Sequence, residues 1–252
     1  MISVPQEPKV TSIGENHSKF EILGCYPGYG ATLGNAIRRV LLSSLEGAAA
    51  RSVKITGVSH EFASIPGVME DAVQILLNLK QLRFRLHGDE TVKVTLKAKG
   101  EGELKAGDIK APSSVEIVNP EQHIATLTDK KTEFEMELEI GKGIGYVPVE
   151  AREQEEREIG VIALDAIYTP VRRVNYEIEN MRVGKRTDYD KVSIEVVTDG
   201  SITPEEAFGK AVSILVEQFS AIKTETVVAE EAVEEKPKKK SSVKKTVKKE
   251  EV

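Results

Sequence analysis

Apolar residues recur along this chain with two different periods, and each period predicts its own kind of element. Leu82, Phe84 and Leu86 alternate with Arg83, Arg85 and His87, and Val92, Val94 and Leu96 alternate with Lys93, Thr95 and Lys97. Further on, Phe134, Met136, Leu138 and Ile140 alternate with Glu133, Glu135, Glu137 and Glu139. A period of two sends one set of side chains into a core and the other into water, so these segments predict half-buried strands. The wet faces read first as solvated sheet surface. One is basic and one acidic, however, so they can also pair across neighbouring strands, each pair contributing about 0.2–1 kcal/mol. Further strands are predicted over 19–24, 51–58, 114–118, 171–183 and 191–198.

Helical spacing appears in three places. Met69, Ala72, Val73, Leu76 and Leu79 predict a helix from about Val68 to Lys80, after Pro66-Gly67. Thr203-Pro204-Glu205-Glu206 is the clearest helix start, with Thr203 as cap, Pro204 in the first turn and Glu206 closing a capping box. That helix runs to about Ile222, and its apolar residues cover roughly 200° of the wheel, more than one buried face. The third helix follows the turn Gly28-Tyr29-Gly30 and reaches Leu45. On it Val40, Leu33, Ile37, Leu41 and Leu45 fill an arc of roughly 140°, while Leu42 falls on the far side between Arg38, Asn35 and Arg39. Two contact faces on one helix predict two things to contact.

The strands are not regularly interleaved with helices, so the fold class expected is α+β rather than a doubly wound parallel sheet. Helices lie near both ends of the folded part with most strand signals between them, so the central stretch reads as an insertion into a domain built from both chain ends. Beyond residue 223 the composition shifts to Glu, Lys, Ala, Val, Ser and Thr without an aromatic residue, which predicts a disordered tail over 224–252. Of 252 residues, enough for a sizeable core, 35 are Lys or Arg and 41 Asp or Glu, a net charge of −6. From Lys236 onward stand eight lysines and two glutamates, leaving 27 basic and 39 acidic groups before them. An acidic body argues against a folded domain that grips nucleic acid by itself, because such binding draws on phosphate neutralisation. No run of eighteen apolar residues exists, and Met1–Val10 carries two prolines without an apolar core, so neither a membrane span nor a signal peptide is expected. With Cys25 as the single cysteine, a reducing, cytoplasmic location is expected.

Little in the sequence carries chemistry. Gly28-x-Gly30-x-x-x-Gly34 between a strand and a helix invites a dinucleotide reading, but the third fingerprint position is Leu33, and Ala48-Ala49-Ala50-Arg51 stands where an acidic residue should end the next strand. A turn that lets backbones approach closely is the better account. Gly141-Lys142-Gly143-Ile144-Gly145-Tyr146 reads as a loop. Asp188 and Asp190 have a spacing that can hold magnesium, although Arg186 and Lys191 beside them favour a turn or ion-pair role. His17, His60, His87 and His123 show no metal-ligand spacing, and Gly-x-Ser-x-Gly does not occur.

Taken together, Thr32-Leu33-Gly34-Asn35-Ala36-Ile37-Arg38-Arg39-Val40-Leu41-Leu42-Ser43-Ser44, Gly67-Val68-Met69-Glu70-Asp71 and Leu76-Leu77-Asn78-Leu79-Lys80 resemble the amino-terminal domain of bacterial RNA polymerase alpha subunits. Gly143-Ile144-Gly145-Tyr146-Val147-Pro148, Asp165-Ala166-Ile167-Tyr168-Thr169-Pro170-Val171, Arg186-Thr187-Asp188-Tyr189-Asp190-Lys191 and Pro204-Glu205-Glu206-Ala207 follow in the same order. The resemblance spans about residues 8 to 223. It implies a dimerisation subdomain from residues 1–46 and 175–223, with a β-rich subdomain, residues 47–174, inserted in it. It implies a non-catalytic subunit of a nucleotidyltransferase that homodimerises and nucleates assembly of the beta and beta-prime subunits, with omega and sigma in the assembled enzyme. Arg38, Arg39 and Leu42 are implied to face beta; Lys80, Tyr168, Arg172 and Asn175 to lie toward beta-prime; and Val40, Leu41, Phe208, Ala211, Leu215 and Phe219 to form the dimer interface. No cofactor is implied in this chain, magnesium and zinc being assigned to the large subunits, so Asp188 and Asp190 become interface or turn residues. The family's usual carboxy-terminal DNA-contacting domain is expected to be absent. In its place, Lys238, Lys239, Lys240, Lys244 and Lys245 are candidates for weak contact with DNA phosphates. A nucleotide-using enzyme and a free-standing dimeric interaction protein are the rival readings.

Overall fold

Glu15 and Asn16 turn the chain between its first two strands, β1 (Lys9–Gly14) and β2 (His17–Cys25), in a computed structural model that describes residues 2–152 and 160–223. Helix α1 (Tyr29–Ser43) leads to β3 (Glu46–Ile55), and α2 (Ala72–Lys80) to β4 (Phe84–Leu86), β5 (Val92–Lys99) and β6 (Gly102–Lys105). Then come β7 (Val115–Ile117), β8 (His123–Leu127), β9 (Glu133–Ile144), β10 (Tyr146–Val147), β11 (Val161–Ala163) and β12 (Ala166–Ile167). The long hairpin β13 (Val171–Val183) and β14 (Arg186–Thr198) precedes the last helix, α3 (Pro204–Ile222). The architecture is α+β, as the order of elements predicts. The chain divides into the units Met1–Val216 and Glu217–Val252, the second described only as the end of α3 and Lys223.

Two large hydrophobic clusters occupy the first unit, beside a small one of Ala49, Ala166 and Tyr168. One lies on the four-stranded antiparallel sheet β1-β2-β14-β13, where Phe20, Ile22, Val192, Ile194 and Val196 meet Ile37 and Leu41 of α1 and Ala207, Phe208 and Ala211 of α3. The other fills the sheet β5-β9-β3-β4-β7, where Val94, Leu96, Met136, Leu138 and Ile140 meet Ile75 and Leu79 of α2. The chain leaves the first cluster after Leu45 and rejoins it at Val171. Arg83 joins them: its Nε lies 3.3 Å from Asp199, and it donates to the Lys80 and Leu82 carbonyls at 2.9 Å. Arg85 adds a 2.9 Å bond to the Ser201 carbonyl, fixing the segment that enters α3.

The alternating segments form strands with the faces that the pattern predicts. Lys97 pairs with Glu135 at 2.5 Å, Lys99 with Glu133 at 2.6 Å and Lys93 with Glu137 at 3.0 Å, across the antiparallel β5-β9 ladder. Two expectations need correction. Helix α2 begins at Ala72, not Val68, because Val68 bridges to Leu127 and the Met69 amide donates to the Thr126 carbonyl at 2.9 Å. Asp71 then caps the helix, accepting from the Gln74 amide at 2.8 Å while its own amide donates to the Gln74 side chain at 3.3 Å. The stretch from Gly141 to Ile144 is strand, not loop, paired with residues 46–49 of β3. A Cβ on Gly141 would stand 2.7 Å from the Arg51 side chain, and one on Gly143 2.5 Å from the Tyr168 ring. These glycines mark close approach within a sheet rather than a turn.

Candidate functional site

Helix α1 is held at its first turn by a carboxylate from a distant strand. Gly28 adopts a left-handed conformation, φ 84°, which turns the chain from β2 into α1. The amides of Gly28 and Gly30 then donate to Asp190 Oδ2 at 2.9 and 3.0 Å. A Cβ on Gly30 would lie 2.9 Å from Asp190, and one on Gly34 2.8 Å from the Tyr176 ring, so both glycines let α1 press onto β14 and β13. The turn that resembles a phosphate cradle holds the chain's own buried carboxylate at the positive end of a helix. Asp188 takes a different partner, accepting from Arg186 Nε at 3.0 Å and from a second guanidinium nitrogen at 2.6 Å. That hydrogen bond from Arg186 holds the Asp188 carboxyl below its ordinary range. Both aspartates lie inside β14 and each is already engaged.

With α1 pinned this way, its inner face is Gly30, Gly34, Ile37 and Leu41. Arg38, Arg39 and Asn35 are exposed. Leu42 departs from its expected isolated place among polar groups: it is half-buried and packs at the margin of the first cluster, as do Leu33 and Val40. The reason lies in the glycines. Counting Gly30 and Gly34 as buried moves the centre of the inward arc by roughly 30°, which leaves Val40 and Leu42 as its two flanks. Beside the Val40 flank is an open depression lined by Ala31, Thr32, Asn35, Ala36, Arg39, Val40 and Leu215.

Helix α3 starts as its cap predicts, the Glu206 amide donating to Thr203 Oγ1 at 3.2 Å. Phe208 stacks on Phe20 with ring centroids 4.3 Å apart. Leu41 and Ala211 are fully enclosed and Phe208 nearly so, whereas Val40 and Leu215 are half-buried. Val216 leaves 59% of its surface uncovered; in the second unit Phe219 leaves 65% and Ile222 74%. An apolar stripe left open along a helix is surface without its natural environment.

The residues implied for beta-prime are dispersed over three elements. Lys80, the last residue of α2, donates to Asp165 at 2.7 Å, and Asp165 also accepts the Val149 amide at 3.0 Å. The Lys80 hydrogen bond holds the Asp165 carboxyl below its ordinary value, against the opposing effect of burial. Tyr168 is buried against Gly47 and Gly143, while Arg172 and Asn175 are exposed on β13. Beside Lys80 runs a groove whose lining includes Phe62, Leu77, Val149, Val161 and Asp165; Phe62 is 77% exposed and Leu77 54%. Lys238, Lys239, Lys240, Lys244 and Lys245, and the predicted tail over 224–252, lie outside the described residues. Asp165, Asp190 and Asp199 have partners far away in the chain; the sequence pattern marks Asp190 only for a turn, ion-pair or interface role and marks neither of the others.

An α+β body with uncovered apolar groups on its helices belongs, by its geometry, with proteins that meet other chains over a surface. The relatives make this specific. The family described as the RNA polymerase Rpb3/RpoA insert domain matches residues 53–169. The chain is 51% identical to DNA-directed RNA polymerase subunit alpha of Alkaliphilus oremlandii over 231 residues, 90% of this chain and 73% of the relative. It is 48% identical to the alpha subunit of Symbiobacterium thermophilum over 230 residues, again 90% and 73% of the two chains, and 48% identical to that of Carboxydothermus hydrogenoformans over 216 residues, 85% and 69%. The chain belongs to the family of bacterial DNA-directed RNA polymerase alpha subunits.

Proposed function

We propose that this chain is the non-catalytic alpha subunit of DNA-directed RNA polymerase, which homodimerises and scaffolds the beta and beta-prime subunits for transcription of DNA into RNA from ribonucleoside triphosphates. The observation that carries the reading is the partly uncovered apolar flank of α1 and α3, Val40, Leu215 and Val216, on a chain of this family. An open patch of this kind favours association: burial is worth about 25 cal/mol per Å², and a stable interface covers roughly 1,600 Å². In this reading a second copy covers Val40 and Leu215, with Phe219 on the last turn of α3. Leu41, Phe208 and Ala211 shape that face from beneath. The four-stranded sheet with its two helices is then the dimerisation subdomain, from residues 1–46 and 175–223, and the larger sheet is the inserted subdomain, residues 47–174.

Arg38, Arg39 and Leu42 face the beta subunit in this reading, the two exposed guanidiniums supplying planar donors for carboxylates around an apolar contact. Lys80, Arg172 and Asn175 lie toward beta-prime, with Tyr168 as a buried support. Catalytic magnesium, and zinc, belong to the large subunits in this reading, and the hydrogen bonds of Asp188 and Asp190 within this chain favour turn and anchoring roles for them. Omega and sigma join in the assembled enzyme, and DNA is reached through that assembly or weakly through the tail lysines. No helix among the described residues is long and apolar enough to cross a membrane, which fits a cytoplasmic location. The test is reconstitution with purified beta subunit. Arg39→Ala weakens capture of beta by about tenfold or more without changing the melting temperature, a size typical of an arginine at an interface centre; undiminished capture contradicts the assignment of this face.

A further inference from the structure

His123, the first residue of β8, lies between two carboxylates. Its Nε2 is 2.8 Å from Glu70 Oε1, and its Nδ1 is 3.0 Å from Glu103 Oε1. A neutral imidazole has one N–H, so it donates to one carboxylate and turns a lone pair on the other. Only the imidazolium donates to both. The cation opposite His123 in the β6-β8 ladder is Lys105, whose ammonium is drawn 2.8 Å from Glu121 and feels Glu103 and Asp108 from further off. Glu70 is held besides by Thr126, whose amide donates to Oε2 at 2.7 Å and whose hydroxyl donates to Oε1 at 3.1 Å.

The three groups come from three segments, and one of these starts a helix. Glu70 directly precedes Asp71, the cap of α2. The residues before it lie along β8: the Thr128 amide donates to the Gly67 carbonyl, and the Met69 amide to the Thr126 carbonyl, each at 2.9 Å. At its other end α2 is fixed by the Lys80–Asp165 pair. We propose that His123 is a proton-operated clamp, which as an imidazolium fastens the two-stranded β6-β8 sheet to the segment that starts α2 and on losing its proton lets that attachment slacken.

The electrostatics agree in direction. The hydrogen bond with Glu70 raises His123 above its ordinary value of 6.5, partial burial opposes this, and Glu103 adds to it. Burial pushes Glu70 up, but the Thr126 amide and His123 together bring its carboxyl below its ordinary 4.5. A raised histidine contributes stability that is complete below 6.5 and is lost as pH climbs through the raised value. A depressed carboxylate contributes stability that is complete above 4.5 and is lost as pH falls through its lowered value. The clamp is therefore strongest in mildly acidic solution and opens on the alkaline side.

The test is a long-range proton–nitrogen NMR titration of the full chain labelled with nitrogen-15 histidine, with His123→Gln identifying the signal. We expect both ring nitrogens of His123 to be protonated in mildly acidic solution, with a midpoint of proton loss above 6.5. A midpoint at or below 6.5 overturns the proposal. Glu103→Gln, at a side chain 53% exposed, offers a second reading that does not depend on the folding of the histidine variant. It should move the midpoint down, and an unmoved midpoint also overturns the clamp.

Discussion

The two larger hydrophobic clusters of the first unit leave different surfaces open. Around β5-β9-β3-β4-β7 the core side chains are covered by α2 and neighbouring segments, and the outward residues of β5 and β9 answer one another in charge. Around β1-β2-β14-β13 the covering helices close the core on their inner faces but leave Val40, Leu215 and Val216 wholly or partly open. The larger sheet is not sealed either, since Leu77 of α2 is 54% exposed and Phe62 77%; what sets the smaller one apart is that open groups of both covering helices, Val40 and Leu215, share one depression, the face that the proposed second copy covers. An amphipathic helix carries one stripe; a helix with apolar flanks beyond that stripe has surface left over for a partner.

Substitutions in the two cores test that difference most strongly. Met136→Ala in the larger sheet and Phe208→Ala under α3 should each destabilise the chain by about 2–5 kcal/mol, measured by denaturant titration. Only Phe208→Ala should also weaken self-association, because it removes the support beneath the open face. Asp190→Ala comes next. It strands the Gly28 and Gly30 amides and should lower stability by about 1–3 kcal/mol, with faster hydrogen exchange confined to the first turn of α1. The smallest effect belongs to the exposed ladder: Lys97→Ala removes a 2.5 Å pair, yet the melting temperature should stay within about 1 °C, since the pair is solvated.

Local pattern sufficed for the elements whose burial repeats along the chain. The alternation at 92–97 and 133–140 placed two strands, and the capping residues at Thr203 placed the start of α3. Where pattern failed, a long-range contact was responsible. Leu42 was set apart from the core because a wheel cannot see that Gly30 and Gly34 are buried against Asp190 and Tyr176. Gly141 and Gly143 looked like a loop because the Arg51 side chain and the Tyr168 ring that need their space are each more than twenty residues away. Val68 and Met69 carry helical spacing, but β8 takes their backbone. The distant partners of Asp190, Asp199 and Asp165 were illegible for the same reason: nothing local marks a donor that arrives from another element.

The open face of α1 and α3 is the central claim, and Leu215→Glu tests it most directly by sedimentation equilibrium of the full chain. The unmodified chain should be a dimer at micromolar concentration. The variant should be a monomer with its circular dichroism and melting temperature nearly unchanged, a loss of at least about 100-fold in association or roughly 2.7 kcal/mol, since a charge at a half-buried edge costs little in the monomer and much when a second copy closes over it. A monomeric unmodified chain, or a Leu215→Glu variant that still dimerises, contradicts the account.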